Sequence, residues 1–218
     1  MLFRSLLVDA SGAGLSKRSG ALSIASLRDG GVEALAVAAI AVLTGSSDEV
    51  HAVGSLVELA QMFDLAHVSR NAAKFDPADL RTLTQRTLLK LDFESVRERL
   101  AAHDIVGAHA EAFWLAVRGN IETFLDVCDW WRIVDGEIAP VIEDAAFCKA
   151  ALDLLPPDPW DEKTWSAWTS AVKGATGRKG RELFHPLRLA LTGRETGPEL
   201  ARLLPLIGRT RAQARLGS

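Results

Sequence analysis

Apolar residues recur at helical spacing along almost the whole of this 218-residue chain, and nowhere does an apolar–polar alternation run long enough to build a sheet. Several helix starts can be read from the side chains. Ser55-Leu56-Val57-Glu58 has capping-box form and opens the run Leu59, Met62, Phe63, Ala66. Asp76-Pro77-Ala78-Asp79 sets a capping carboxylate, a proline at the first helical position and an acid in the first turn, ahead of Leu80, Leu83, Leu88 and Leu91. Further helices are expected from Asp92 or Ser95, at 108–117, 121–131, 145–155, 160–172 and 181–191, then at 198–207 with a basic helical tail. Pro186 should start, kink or break the helix that contains it. Leu6-Leu7-Val8 is the best short strand and Ile133-Val134 a weaker one. An all-α chain follows, with at most a short strand at the N-terminus. Pro156-Pro157-Asp158-Pro159 is its clearest boundary.

An apolar share of 48% with 24% charged residues excludes a disordered chain and a collagen-like repeat. Two cysteines, Cys128 and Cys148, exclude a disulfide-dense miniature and read as free thiols; no metal-ligand spacing surrounds them, and no metal site is expected. The longest apolar run, 32–43, falls short of the roughly 20 residues that a membrane helix needs, and the N-terminus lacks the form of a signal peptide. A cytoplasmic protein with no membrane partner is expected. All six tryptophans lie between Trp114 and Trp168, among apolar neighbours at helical spacing. That suits core packing better than stacking on RNA bases.

The net charge of −3 conceals a segregation of charge. Residues 1–91 carry nine basic and nine acidic side chains, 92–162 five basic and sixteen acidic, and 173–218 ten basic against three acidic. A basic end of this kind suits a polyanionic partner. It equally suits internal packing of that end on the acidic middle.

Two places could carry chemistry. Ser11-Gly12-Ala13-Gly14-Leu15-Ser16-Lys17-Arg18-Ser19-Gly20 sets a hydroxyl and an ammonium among glycines, which suits phosphate binding on a movable loop; it also fits a plain exposed turn. It lacks the spacing of a Walker loop. The stretch from Gly177 to Pro198 clusters Arg178, Lys179 and Arg181 at a helix entrance and repeats arginine at 188 and 194.

Together these places resemble the class I glutamyl-tRNA synthetases. Leu15-Ser16-Lys17-Arg18 is similar to that family's KMSKS loop, with Gly14 standing where the motif's first lysine usually falls. Ser69-Arg70 through Lys74-Phe75-Asp76 resembles its link into the anticodon-binding region. Lys179-Gly180, Phe184, Pro186-Leu187-Arg188, Ala190-Leu191-Thr192-Gly193 and Gly197-Pro198 resemble its C-terminal signature. The resemblance implies a helical stem-contact domain over 1–75 with the KMSKS loop, followed by an all-helical anticodon-binding region in two parts, 76–157 and 158–218. It implies that Lys17 stabilises charge on ATP during glutamate activation, with Ser16 and Arg18 beside the triphosphate. It implies that Arg178, Lys179, Arg181, Arg188 and Arg194 contact tRNA(Glu). ATP with magnesium would serve the complete enzyme and neither would bind this chain alone, because no H-I-G-H motif precedes the loop. The expected partners are tRNA(Glu) and the missing N-terminal catalytic domain, with no DNA, and the expected state is a monomer. A free-standing tRNA-binding module without catalysis and a helical protein-interaction scaffold stand as the alternatives.

Overall fold

Capping groups place several of the helix starts where the sequence puts them. The computed structural model describes residues 7–9, 11, 12, 14, 23–44, 46, 47, 49–68 and 72–218. In chain order the elements are β1 (Leu7–Val8), α1 (Ile24–Asp29), α2 (Ala34–Leu43), α3 (Leu56–Met62), a 3-10 turn (Leu65–His67), β2 (Ala73–Lys74), α4 (Pro77–Lys90), α5 (Phe93–Ala101), α6 (Ala110–Val117), α7 (Asp126–Asp135), α8 (Ala145–Asp153), α9 (Glu162–Thr176), α10 (Arg181–Thr192) and α11 (Leu200–Leu216). The Ser55 hydroxyl accepts the Glu58 N–H at 3.1 Å, while Glu58 Oε2 reaches back to the Gly54 N–H at 2.7 Å. Asp76 Oδ1 accepts the Ala78 N–H at 2.8 Å across the proline that opens α4. Among the described residues the fold is all-α apart from one two-stranded parallel pairing, in which Leu7 lies opposite Ala73 and Val8 opposite Lys74. The partner strand β2 carries too short a pattern to be read from sequence.

Three local expectations change. Ile133 and Val134 lie buried in α7, not in a strand. Helix α7 begins at Asp126 instead of 121, because Asp126 Oδ2 accepts the N–H groups of Glu122 and Thr123 at 2.8 and 2.9 Å and holds that segment in a turn. Pro186 leaves α10 unbroken. Pro186 is the sixth of the twelve residues of α10, so it removes a single intrahelical donor, the one that would reach the Glu182 carbonyl. The last helix is interrupted instead at Gly208 (φ 77°, ψ 160°), which divides α11 after Pro205.

The chain forms two compact units, Met1–Val96 with Ile121–Asp126, and Arg97–Asn120 with Val127–Ser218. In the first, α2 packs on α3 and α4 around Ala36, Ala39, Ile40, Leu43, Leu59 and Leu83. Ala36 and Ala39 are fully buried, and their small side chains let the helices approach closely. In the second, α11 packs against α6, α8, α9 and α10 around Phe113, Trp114, Trp168, Leu187, Leu191 and Leu203. The Pro156–Pro159 stretch lies inside this second unit. Trp114, Trp130 and Trp168 are buried, in keeping with packing. Arg215 closes this core. Its buried guanidinium donates to the carbonyls of Leu191 at 2.7 Å, Ile133 at 2.7 Å and Gly136 at 3.0 Å, tying the ends of α7 and α10 to α11. Burial pushes its pKa down to about 10.

Candidate nucleic-acid interface

Two glycines with positive φ make the corner between α9 and α10. Gly177 (φ 70°) is the left-handed cap of α9, and Gly180 (φ 56°) precedes α10. A side chain with a β-carbon is strained at either angle, so the sequence Gly-Arg-Lys-Gly-Arg sets two cations inside a forced turn and a third at the start of α10.

The five candidate tRNA-binding cations divide into two groups. Arg178 turns inward. Its Nη2 donates to Asp144 Oδ2 and its guanidinium lies 4.3 Å from the centroid of the Phe147 ring. Asp144 is also the cap of α8. The Phe147 N–H that it accepts, with Arg178 second, holds its carboxyl below the usual carboxylate range. Arg188 is half-buried on α10 and donates to the Pro198 carbonyl at 3.1 Å; desolvation lowers its pKa. Arg194 donates to Asp129 Oδ2 at 3.1 Å and lies 4.8 Å over the Trp130 ring, with 43% of its side chain exposed. Lys179 and Arg181 are exposed, and no ion pair joins either to an acid among the described residues. The structure thus brings Lys179 and Arg181 together at one solvent-facing corner and gives the other three arginines partners within the chain, Arg194 at the surface. Ser16, Lys17 and Arg18 lie outside the described residues.

The remaining arginines of the basic end are used internally as well. Arg209 donates to the Pro156 carbonyl at 3.1 Å, Arg211 pairs with Asp135, and Arg202 pairs with Glu199 and bonds the Leu115 carbonyl. His185 Nδ1 lies 3.2 Å from Glu143 Oε2. Beside the corner Trp165, expected to pack in the core, meets Phe184, to which the residues alone assign no role. Phe184 is 43% exposed, and its ring centroid lies 6.1 Å from that of Trp165. The signal was its position one step off the buried seam Leu183, Leu187, Leu191.

A cleft of about 440 Å³ in the first unit is chemically different. Lys74 and Arg86 line it opposite Glu49, Asp76 and Asp79, so it presents no surplus of positive charge to a polyanion. Among the described residues no cluster of His, Cys, Asp or Glu has the make-up to hold a metal ion, and no helix is long and apolar enough to cross a membrane.

Known proteins match this chain over almost all of its length. Glutamate–tRNA ligase 2 of Beijerinckia indica is 67% identical over 212 residues, which is 97% of this chain and 47% of that protein. Glutamate–tRNA ligase 1 of Brucella canis is 54% identical over 215 residues, again 97% of this chain and 47% of its own length. The chain therefore spans about half the length of the curated relatives it matches. The crystal structure of glutamate-tRNA synthetase from Elizabethkingia anophelis has the same fold, with a TM-score of 0.75 at 19% identity over 97% of this chain and 49% of that one. The model of the anticodon binding domain family matches residues 56–218, a stretch that holds all of α3–α11 and the cationic corner. With well over half of its length so matched, the chain belongs to the anticodon binding domain family.

Proposed function

We propose that this chain is the tRNA-gripping part of a glutamate–tRNA ligase, and that its second unit receives the anticodon arm of tRNA(Glu). The observation that carries the reading is the cationic corner at Lys179 and Arg181, lying within the stretch that matches an anticodon binding domain. The names of the relatives support glutamate as the amino acid. On this reading residues 1–75 hold the KMSKS-like loop and the stem-contacting helices, and 76–157 and 158–218 are the two anticodon-binding parts. These are roles along an RNA. They need not coincide with the compact units, which group Arg97–Asn120 with Val127–Ser218.

The chemistry asked of Lys17 is electrostatic. When glutamate attacks the α-phosphate of ATP, negative charge builds on that phosphate and on departing pyrophosphate. An ammonium carried on a closing loop stabilises this charge more in the transition state than in the ground state. Ser16 and Arg18 would hold the triphosphate alongside it. The nucleotide and its magnesium would sit in the N-terminal catalytic domain, which is the partner this chain needs for activity. In this reading the chain alone binds RNA and does not charge it, and it works as a cytoplasmic monomer without DNA or membrane partners.

One observation favours a second reading, a helical scaffold for other proteins: most of the arginines in the basic end already have internal partners. Filter binding of the 218-residue chain to a tRNA(Glu) transcript separates the two. Each phosphate contact on a single-stranded loop gives a log–log salt slope of roughly −0.7. The double variant Lys179→Ala/Arg181→Ala should make the slope shallower by about 1.4 and weaken binding. A wild-type chain with no salt-dependent affinity would refute the tRNA-binding reading and support the scaffold.

A further inference from the structure

We propose that Phe184 is a stacking platform for one unpaired RNA base, backed by Trp165 and Trp168 and flanked by Arg181 and Lys179. The inference rests on the tRNA-binding reading above and names the place where that binding becomes selective for looped RNA.

A single exposed phenylalanine is ordinary on a protein surface. This one is the outer rung of a fixed ladder. Trp168 is 1% exposed, and its indole N–H donates to the Ala151 carbonyl at 2.8 Å, which sets the plane of the ring. Trp165 meets it edge-on, with centroids 5.7 Å apart and planes at 70°. Phe184 then lies 6.1 Å from Trp165 at 36°, with 43% of the residue open to solvent. The seam of α10, Leu183, Leu187 and Leu191, is buried and holds the helix in place. The exposed ring is thus pre-positioned, and a base stacking on it loses little freedom of the protein side.

The flanking charge identifies the occupant. Arg181 stands three residues before Phe184 on α10, so the two share a helix face, and Lys179 precedes the helix at the corner. Neither cation has an acidic partner among the described residues, unlike Arg178 and Arg194. Glu182, two residues before Phe184, points to another side of the helix. An apolar protein segment has no need of two solvated cations beside the ring. A nucleotide uses all three groups, with the base on the phenyl face and the flanking phosphates on the cations. A paired base in a stem is already stacked on its neighbours, so the platform selects unpaired nucleotides.

The test uses the 218-residue chain and two RNAs, the anticodon stem and loop of tRNA(Glu) and a fully paired duplex of the same stem. Phe184→Leu keeps apolar bulk and removes the π face. It should weaken binding of the looped RNA by about fivefold or more and leave the duplex unchanged. Phe184→Trp should bind the looped RNA at least as tightly as wild type, and both variants should melt with the wild-type chain. The platform is overturned if Phe184→Leu binds the looped RNA like wild type, if it weakens both RNAs equally, or if Phe184→Trp loses as much as Phe184→Leu. In those cases salt-dependent binding by the wild-type chain still upholds the tRNA-binding reading. If the wild-type chain binds neither RNA, both fail.

Discussion

The loop that follows α10 leaves no room for a β-carbon at Gly197, so Gly197→Ala should be among the most damaging small substitutions in the second unit. Gly197 has φ 142°, and a Cβ built there would lie 2.1 Å from Trp130 Cη2 and 2.6 Å from Cζ2. Trp130 is 3% exposed and carries Arg194 on its ring, so it has little freedom to retreat. The backbone angle alone costs an alanine about 1–3 kcal/mol. Forcing the loop or the indole aside adds about 1–3 kcal/mol of overpacking. A central value of about 4 kcal/mol lowers the melting temperature of a chain this size by about 8–16 °C, readable by circular dichroism. Trp130→Phe removes the outer indole atoms and with them the clash, leaving the backbone strain. In that background Gly197→Ala should therefore cost less, with a coupling of about 1 kcal/mol or more. Gly174→Ala is the internal control. Gly174 lies within α9, and apart from its chain neighbours and the local helix backbone no atom falls within 4 Å of a Cβ built there. That substitution should leave stability unchanged or raise it by about 0.5–1 kcal/mol. A Gly197→Ala chain melting within about 1 °C of wild type, or an equal cost in both backgrounds, would refute the reasoning.

Two further outcomes follow from single side chains. Arg215→Met leaves the carbonyls of Leu191, Ile133 and Gly136 without the guanidinium that they share, and should cost about 3–5 kcal/mol. Urea midpoints measure it, and a midpoint equal to wild type would show that the guanidinium ties nothing together. On the proposed ligase reading, Lys17→Ala in the complete enzyme should slow ATP–pyrophosphate exchange by about tenfold, roughly 1.4 kcal/mol of transition-state stabilisation, and an unchanged rate would remove Lys17 from the chemistry.

What could be read from the residues was mostly local. Ser55 and Asp76 act within a few positions of themselves, so the starts of α3 and α4 were open to inspection, whereas α9 runs on from the expected 172 to Thr176, before the Gly177 cap. The start of α7 was not open in this way. It depends on an aspartate accepting from two backbone N–H groups that precede it, a turn with no strong signature. The pairing of β1 with β2 joins residues 7–8 to 73–74 through strands too short to show a period. The candidate site divided in the same way. Glycines bracketing two cations announced the α9–α10 corner. Which of the cations would be engaged internally depended on Asp144, Asp129 and Pro198, positions remote in sequence or outside any pattern.

Charge segregated along a sequence need not stay segregated in space. In the second unit Asp129 meets Arg194, Asp135 meets Arg211 and Asp144 meets Arg178, so much of the basic end neutralises the acidic middle. Each of these pairs is partly exposed, and pairs of that kind are worth only about 0–1 kcal/mol. Such a pair can be given up to a phosphate; the buried hydrogen bonds of Arg215 cannot. On the proposed tRNA-binding reading, the salt dependence of that binding therefore reports how many arginines change partners. Lys179 and Arg181 acting alone give a slope near about −1.4 on a single-stranded loop. If Arg178 and Arg194 leave their aspartates for the RNA, the slope steepens to about −2.8, and Asp144→Asn with Asp129→Asn should then tighten binding at fixed salt. A slope that stays near about −1.4 in that double variant would mean that the internal ion pairs belong to the fold and that the corner is the whole of the electrostatic grip.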